Sequence, residues 1–204
     1  MRIVCLDLEG VLVPEVWIEF AKKTGIEGLT RTTRDEPDYD KLMSYRLDLL
    51  NKHQLRIGDI QAVIASMTPL PGALDFLNGL RERYQVIILS DTFYPFATPL
   101  MRQLNWPTLF CHDLDIAPGG EVTAYRLRMP DQKKAAVRAF KSLNFSVVAA
   151  GDSYNDTSML GEADAGFFIH APKNVVEQFP QFPVMQNYDE LGQAIDRHFG
   201  IDSA

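Results

Sequence analysis

Short, nearly continuous apolar runs alternate along this chain with longer stretches in which apolar residues recur every three or four positions. A short run with no polar face reads as a strand buried on both sides, and the helical period reads as a helix with one packed face. Strands are therefore expected near residues 3–8, 85–90, 146–151 and 166–169, and helices near 72–83, 93–104, 131–143, 156–163 and 188–199. On the second of these helices Phe93, Phe96, Ala97, Leu100, Met101 and Leu104 make one stripe, which Pro99 should bend. Strand and helix in alternation imply an α/β fold, a Rossmann-like doubly wound parallel sheet covered on both faces.

Two stretches depart from that alternation. From residue 13 to residue 69 the chain runs for about 57 residues where such a connection takes roughly two to six. Helical periodicity near 16–23, 40–51 and 59–67 makes this a helical cap inserted after the first strand, leaving 1–12 and 70–204 as the core domain. The second stretch, 110–128, alternates polar and apolar residues around Gly119-Gly120 and reads as a β-hairpin.

Composition removes several classes of function. The 204 residues carry 27 acidic against 20 basic side chains, a formal charge of −7, and no window gathers the basic residues into a stripe, so nucleic acid is not an expected partner. No apolar run approaches the ~18 residues of a membrane span. The first residues lead straight into a strand, so a cytoplasmic protein is expected, with Cys5 and Cys111 as reduced thiols. His53, His112, His170 and His198 lack metal-ligand spacing and are expected to be surface or hydrogen-bonded residues. Trp17 is expected in core or loop packing, and no pattern specifies an oligomeric state.

Chemistry gathers where the strands end. Asp7 and Glu9 follow the first run, Ser90 and Asp91 the second, and Asp152 the third. Open α/β sheets bind ligands at the carboxyl ends of their strands, and residues two apart in an extended segment point the same way. A single carboxylate there could cap the next helix. Four acidic groups at three strand ends repel one another and call for a cation, and Mg²⁺ takes oxygen ligands of this kind.

The segments Asp7-Leu8-Glu9-Gly10, Leu89-Ser90-Asp91-Thr92, Lys133 and Gly151-Asp152-Ser153-Tyr154-Asn155-Asp156 resemble the ordered motifs of the haloacid dehalogenase-like phosphohydrolases. Within that superfamily the chain is most similar to phosphoserine phosphatases, in the branch with phosphoserine:homoserine phosphotransferase activity. The resemblance implies that Asp7 is a nucleophile forming an aspartyl-phosphate and that Glu9 protonates the departing alkoxide and then activates water. It implies that Ser90, amides around Asp91, Lys133 and a helix start near Asn155 hold phosphoryl oxygens. Mg²⁺ would be held by Asp7, Glu9, Asp152 and Asp156. Glu9 and Val11 depart from the wider family, where Asp and Thr are usual, and Glu15 follows the nucleophile one residue sooner.

Arg46 stands out without the resemblance. It falls inside the apolar stripe Tyr39, Leu42, Met43, Leu47 and Leu50, and a guanidinium there needs a partner. A substrate carboxylate, with Glu15 taking the ammonium, is one; an internal pair with Glu15 is the other. The expected function is Mg²⁺-dependent hydrolysis of a small phosphorylated amino acid, O-phospho-L-serine, with transfer to homoserine as a further activity in amino-acid biosynthesis. The alternatives are a phosphatase of another small metabolite such as a phosphosugar, or a phosphoaspartyl receiver.

Overall fold

A computed structural model describes residues 1–32, 35–36 and 38–201. Pro37, which precedes the expected second cap helix, and residues 202–204 of the expected core lie outside the described residues.

Strand β1 (Arg2–Leu6) sits at the centre of the sheet, because its residues are apolar on both faces. Val4 and Leu6 enter one cluster, with Leu77, Phe96, Leu191 and Ile195. Ile3 and Cys5 enter the other, with Val137, Leu160 and Val175. Strand β5 (Ser146–Gly151) divides the same way, with Val148 and Ala150 on the first face and Val147 and Ala149 on the second. This two-sided burial is what the run of apolar residues encodes.

Helices α4 (Ala73–Arg81), α5 (Tyr94–Gln103) and α9 (Tyr188–Phe199) cover the first face. Helices α6 (Gln132–Ser142), α7 (Thr157–Glu162) and α8 (Lys173–Gln178) cover the second. With β2 (Gln85–Phe93), β3 (Thr108–Ile116), β4 (Val122–Arg126), β6 (Ala165–Ile169) and β7 (Val184–Met185), the sheet runs β4-β3-β2-β1-β5-β6-β7. All neighbours are parallel except β3 and β4. The chain builds outward from β1 to β4 and then crosses back to β5 on the other side of β1. That reversal opens a crevice at the carboxyl ends of β1 and β5, where Asp7 donates its amide to the Ala150 carbonyl at 3.0 Å.

Three expectations need correction. The stretch 110–128 does turn back on itself, but its first arm begins earlier and pairs parallel with β2, so the hairpin is the edge of the main sheet. Strand β2 continues through Asp91 and Thr92 to Phe93 after a register shift, so α5 starts one residue later than its apolar stripe suggests. The helix expected at 156–163 is shorter and follows a separate 3₁₀ turn, Tyr154–Asp156.

Between β1 and α4 lie α1 (Val16–Thr24), α2 (Tyr39–Lys52) and α3 (Ile57–Ala65), close to the expected spans. Their apolar faces share one cluster with the sheet and α5: Phe20, Met43 and Ile64 pack in it with Phe93 and Leu100. Pro99 lies inside α5 and has no amide hydrogen to offer the Pro95 carbonyl, which instead accepts from Gln61 of α3 at 2.8 Å. At the other end the Ile57 amide reaches the Gly120 carbonyl of the β3–β4 turn at 2.7 Å, and Arg56 pairs with Glu121 at 3.0 Å. Among the described residues no helix is long and apolar enough to cross a membrane.

Candidate active site

Asp7 leaves β1, Asp152 leaves β5, and Asp156 closes the 3₁₀ turn that follows. Carboxylate oxygens of the three lie within 4.8 Å of one another. Two glycines permit this. A Cβ on Gly151 would sit 2.3 Å from Asp156 Cγ, and one on Gly10, whose φ is +75°, would sit 2.3 Å from Asp152 Oδ2. Asp156 is fully buried and anchors its own turn: Oδ2 accepts from the Asp152 and Ser153 amides at 2.9 and 3.0 Å and from Ser153 Oγ at 3.1 Å.

Lys133, from the first turn of α6, brings the opposing charge. Its Nζ donates to Asp7 Oδ1 and Asp156 Oδ1, both at 2.8 Å, and lies 3.7 Å from Asp91 Oδ2. Burial favours a neutral amine, but these carboxylates outweigh it and hold the proton well above the ordinary lysine range. Lys133 is the lysine that reaches this cluster, and its neighbour Lys134 is only half-buried.

The carboxylates remain in excess. Burial, then the charge of Asp156, pushes Asp7 well above the usual carboxylate range despite Lys133. Burial, Asp156 and Glu15 push Asp152 up to about 7. Asp152 Oδ1 is buried with no hydrogen-bond partner. An orphaned oxygen beside two other carboxylates is a donor set that a hard dication would satisfy.

Glu9 lies on the cavity wall. Its Oε2 accepts from the Val16 amide, freed at the start of α1, at 2.9 Å. Burial first, then the charge of Glu15, raises its carboxyl to about 7, against the opposing bonds from Val16 and the Thr92 side chain. Asp91 is shifted the other way. Burial would raise it, but Lys133 and hydrogen bonds from His112 and Gln132 hold it below the usual carboxylate range. Ser90 is buried and its Oγ accepts from the Thr92 amide at 3.2 Å, so this amide beside Asp91, expected to face a phosphate, is already engaged.

Together these groups line a cavity of about 260 Å³ that contains Asp7, Glu9, Glu15, Arg46, Ser90, Asp91, Lys133, Asp152 and Asn155. Every expected site residue is on its wall except Asp156, which is buried behind it. Asn155 is exposed and lies in the 3₁₀ turn, so the helix start expected there belongs instead to Thr157. A larger groove of about 620 Å³ runs between α4 and α9 and shares no lining residue with the cavity.

Arg46 is buried at the cavity wall. Its guanidinium lies 4.6 Å from the Trp17 ring centre, and one nitrogen donates to the Arg31 carbonyl at 2.8 Å, while Nε has no partner. No ion pair joins it to Glu15 among the described residues, and Glu15 is exposed. Trp17, expected as plain packing, is thus the platform under Arg46.

Thr92 and Tyr39 also line the cavity, and neither they nor Gln132 drew a role from the sequence. Gln132 accepts from Arg128 at 2.8 Å and donates to Asp91 at 3.1 Å and to the Ser90 carbonyl, tying α6 to the end of β2. His112 is hydrogen-bonded, as expected, accepting the Arg128 amide on Nδ1 at 3.0 Å with Nε2 3.6 Å from Asp91. Gln132 had a sequence signal, its position directly before Lys133; His112 had none.

The profile of the haloacid dehalogenase-like hydrolases matches residues 1–164. The chain is 61% identical over 191 residues to phosphoserine phosphatase ThrH of Pseudomonas aeruginosa, covering 94% of this chain and 93% of that one. It is also 61% identical over 191 residues to a phosphoserine phosphatase of Pseudomonas syringae pv. tomato, covering 94% and 81%. Among solved structures, a substrate-bound phosphoserine phosphatase complex superposes with a TM-score of 0.76 at 20% identity, over 96% of this chain and 97% of that chain, which shows a shared fold.

Proposed function

The chain belongs to the haloacid dehalogenase-like hydrolase family, and from that premise we propose that it is a Mg²⁺-dependent phosphatase of O-phospho-L-serine working through an aspartyl-phosphate. The observation that carries this reading is one cavity with a carboxylate and lysine cluster on its wall and a buried arginine beside it. A phosphate needs the first and an amino acid's carboxylate matches the second. Two relatives at 61% identity named for this activity support it.

Asp7, Asp152 and the Glu9 backbone carbonyl would hold Mg²⁺, with Asp156 fixing the turn that carries Asp152. The ion's contribution is to neutralise phosphoryl charge and orient the phosphate. Asp7 attacks phosphorus, forming the acyl-phosphate bond as the serine oxygen departs. Glu9, poised with a carboxyl near 7, gives its proton to that oxygen and afterwards takes one from the water that releases phosphate. Lys133 steadies the phosphoryl oxygens, and Arg46 and Glu15 bind the carboxylate and ammonium of serine. Residues 13–69 serve as the lid, which excludes bulk water and favours an enzyme over a receiver module.

With a second alcohol in the cavity, Glu9 would deprotonate its hydroxyl instead of water and pass the phosphoryl group to homoserine. The product feeds amino-acid biosynthesis, and the cytoplasm is the compartment that fits. The test is a panel of phosphomonoesters ranked by kcat/KM with Mg²⁺, repeated with homoserine. Phosphoserine should rank first and phosphohomoserine should form; a phosphosugar ranked first would overturn the substrate assignment.

A further inference from the structure

Two ring residues beyond the matched family region grip the loop that carries the acid/base group. His170 follows β6, and its Nδ1 lies 3.1 Å from the Gly10 carbonyl. A carbonyl oxygen only accepts, so Nδ1 carries the donated proton. Tyr188, the first residue of α9, donates its hydroxyl to the next carbonyl, that of Val11, at 2.6 Å. The two rings meet edge to face with centres 5.4 Å apart, and Tyr188 stacks on Phe76 at 4.7 Å. Consecutive carbonyls of the loop after Asp7 are thus held from outside, while on its inner side Gly10 has no room for a side chain beside Asp152.

His170 has a φ of +56°, in the left-handed region that it shares with five other non-glycine residues among those described, and it is exposed. An exposed hydrogen bond adds little to stability, so it does not by itself account for a sterically unfavourable backbone. Residues kept in such conformations cluster where position serves function.

We propose that His170, backed by Tyr188, is a positioning residue that holds the Glu9-Gly10-Val11 turn and so aims the Glu9 carboxyl at the departing oxygen. The inference rests on the phosphatase reading above. Its consequence depends on the leaving group: an alkoxide needs Glu9's proton to depart, whereas a nitrophenolate leaves without it.

The test compares kcat/KM, which reports the steps through leaving-group departure, for phosphoserine and for p-nitrophenyl phosphate. His170→Phe keeps a ring and loses the donor; His170→Gly relieves the backbone and loses the donor. Each should lower kcat/KM about tenfold on phosphoserine, a fraction of the ~100-fold or more that a general acid supplies, and less than about twofold on the aryl ester. His170→Asn, which retains an N–H near the position of Nδ1 and tolerates a left-handed φ, should restore most of the loss. The affinity for a non-hydrolysable phosphonate analogue of phosphoserine should not change in any variant. Equal losses on both esters, no rescue by Asn, or weakened analogue binding would overturn the proposal while leaving the phosphatase reading intact. A wild-type protein inactive on both esters would overturn both.

Discussion

Replacing Lys133 with Met removes the cation buried among Asp7, Asp91 and Asp156 and keeps an unbranched apolar stem in its place. Breaking a buried ion pair by deleting one partner costs about 3–5 kcal/mol, because the remaining charge is left without compensation. Lys133 has two such partners at 2.8 Å, yet the losses do not add, since an abandoned carboxylate relieves itself by binding a proton. In a domain of this size that loss lowers Tm by roughly 6–20 °C. The pH dependence has a definite sign. Asp7 is already raised by burial and Asp156, and without Lys133 it rises further. A carboxyl raised in the fold contributes in full below its unfolded value, and that contribution is lost as pH rises from there through its folded value. The gap between wild type and Lys133→Met should therefore widen as pH rises and narrow as it falls, compared at a lower and a higher pH at which the wild type stays folded. Scanning calorimetry in chelator-treated buffers reads this directly. A loss below about 2 °C at the higher pH, or one that does not vary with pH, would refute the pairing.

Arg46→Ala should raise the KM for phosphoserine roughly 10- to 100-fold, the worth of a charge-assisted pair, and leave an aryl phosphate within about twofold, as steady-state kinetics on both esters would show. With a carboxyl near 7, Glu9 must be protonated to assist departure, so the rapid-quench rate of phosphoryl transfer from phosphoserine should fall as pH rises through about 7. Glu9→Gln should flatten that profile and lower the rate by about 100-fold or more. Gly10→Ala should lower Tm by roughly 2–8 °C through its left-handed backbone and weaken Mg²⁺ binding in a calorimetric titration, because the new Cβ meets Asp152 Oδ2.

What the sequence made legible follows the range of the interactions concerned. Strand β1, strand β5 and the turn Gly151–Asp156 are coded by neighbours in sequence, so the Asp7 and Asp152 ends could be placed from periodicity alone. Helix α9 was legible for the same reason: Leu191, Ile195 and Phe199 recur at helical spacing between Asn187 at the N-cap and Gly200 at the C-cap. The edge of the sheet was not. The alternating run in β3 has the period of a half-exposed hairpin arm, and only its pairing with β2 makes it a sheet strand. The role of Gln132 escaped because it reaches Ser90 across 42 positions, and His112 was legible only as a hydrogen-bonded residue because its partner is the Arg128 backbone amide. Arg46 was legible as a charge on an apolar stripe, but its Trp17 platform sits on another helix, which no local pattern relates to it.

The central claim is that Asp7 bonds covalently to the phosphoryl group. The direct measurement is acid quenching of the enzyme within the first turnover of ³²P-labelled phosphoserine in Mg²⁺, followed by peptide mapping. The account predicts label on the peptide containing Asp7, stable in acid and lost in base, and none in Asp7→Asn. Turnover with no labelled protein at any time, or label on a peptide without Asp7, would contradict it.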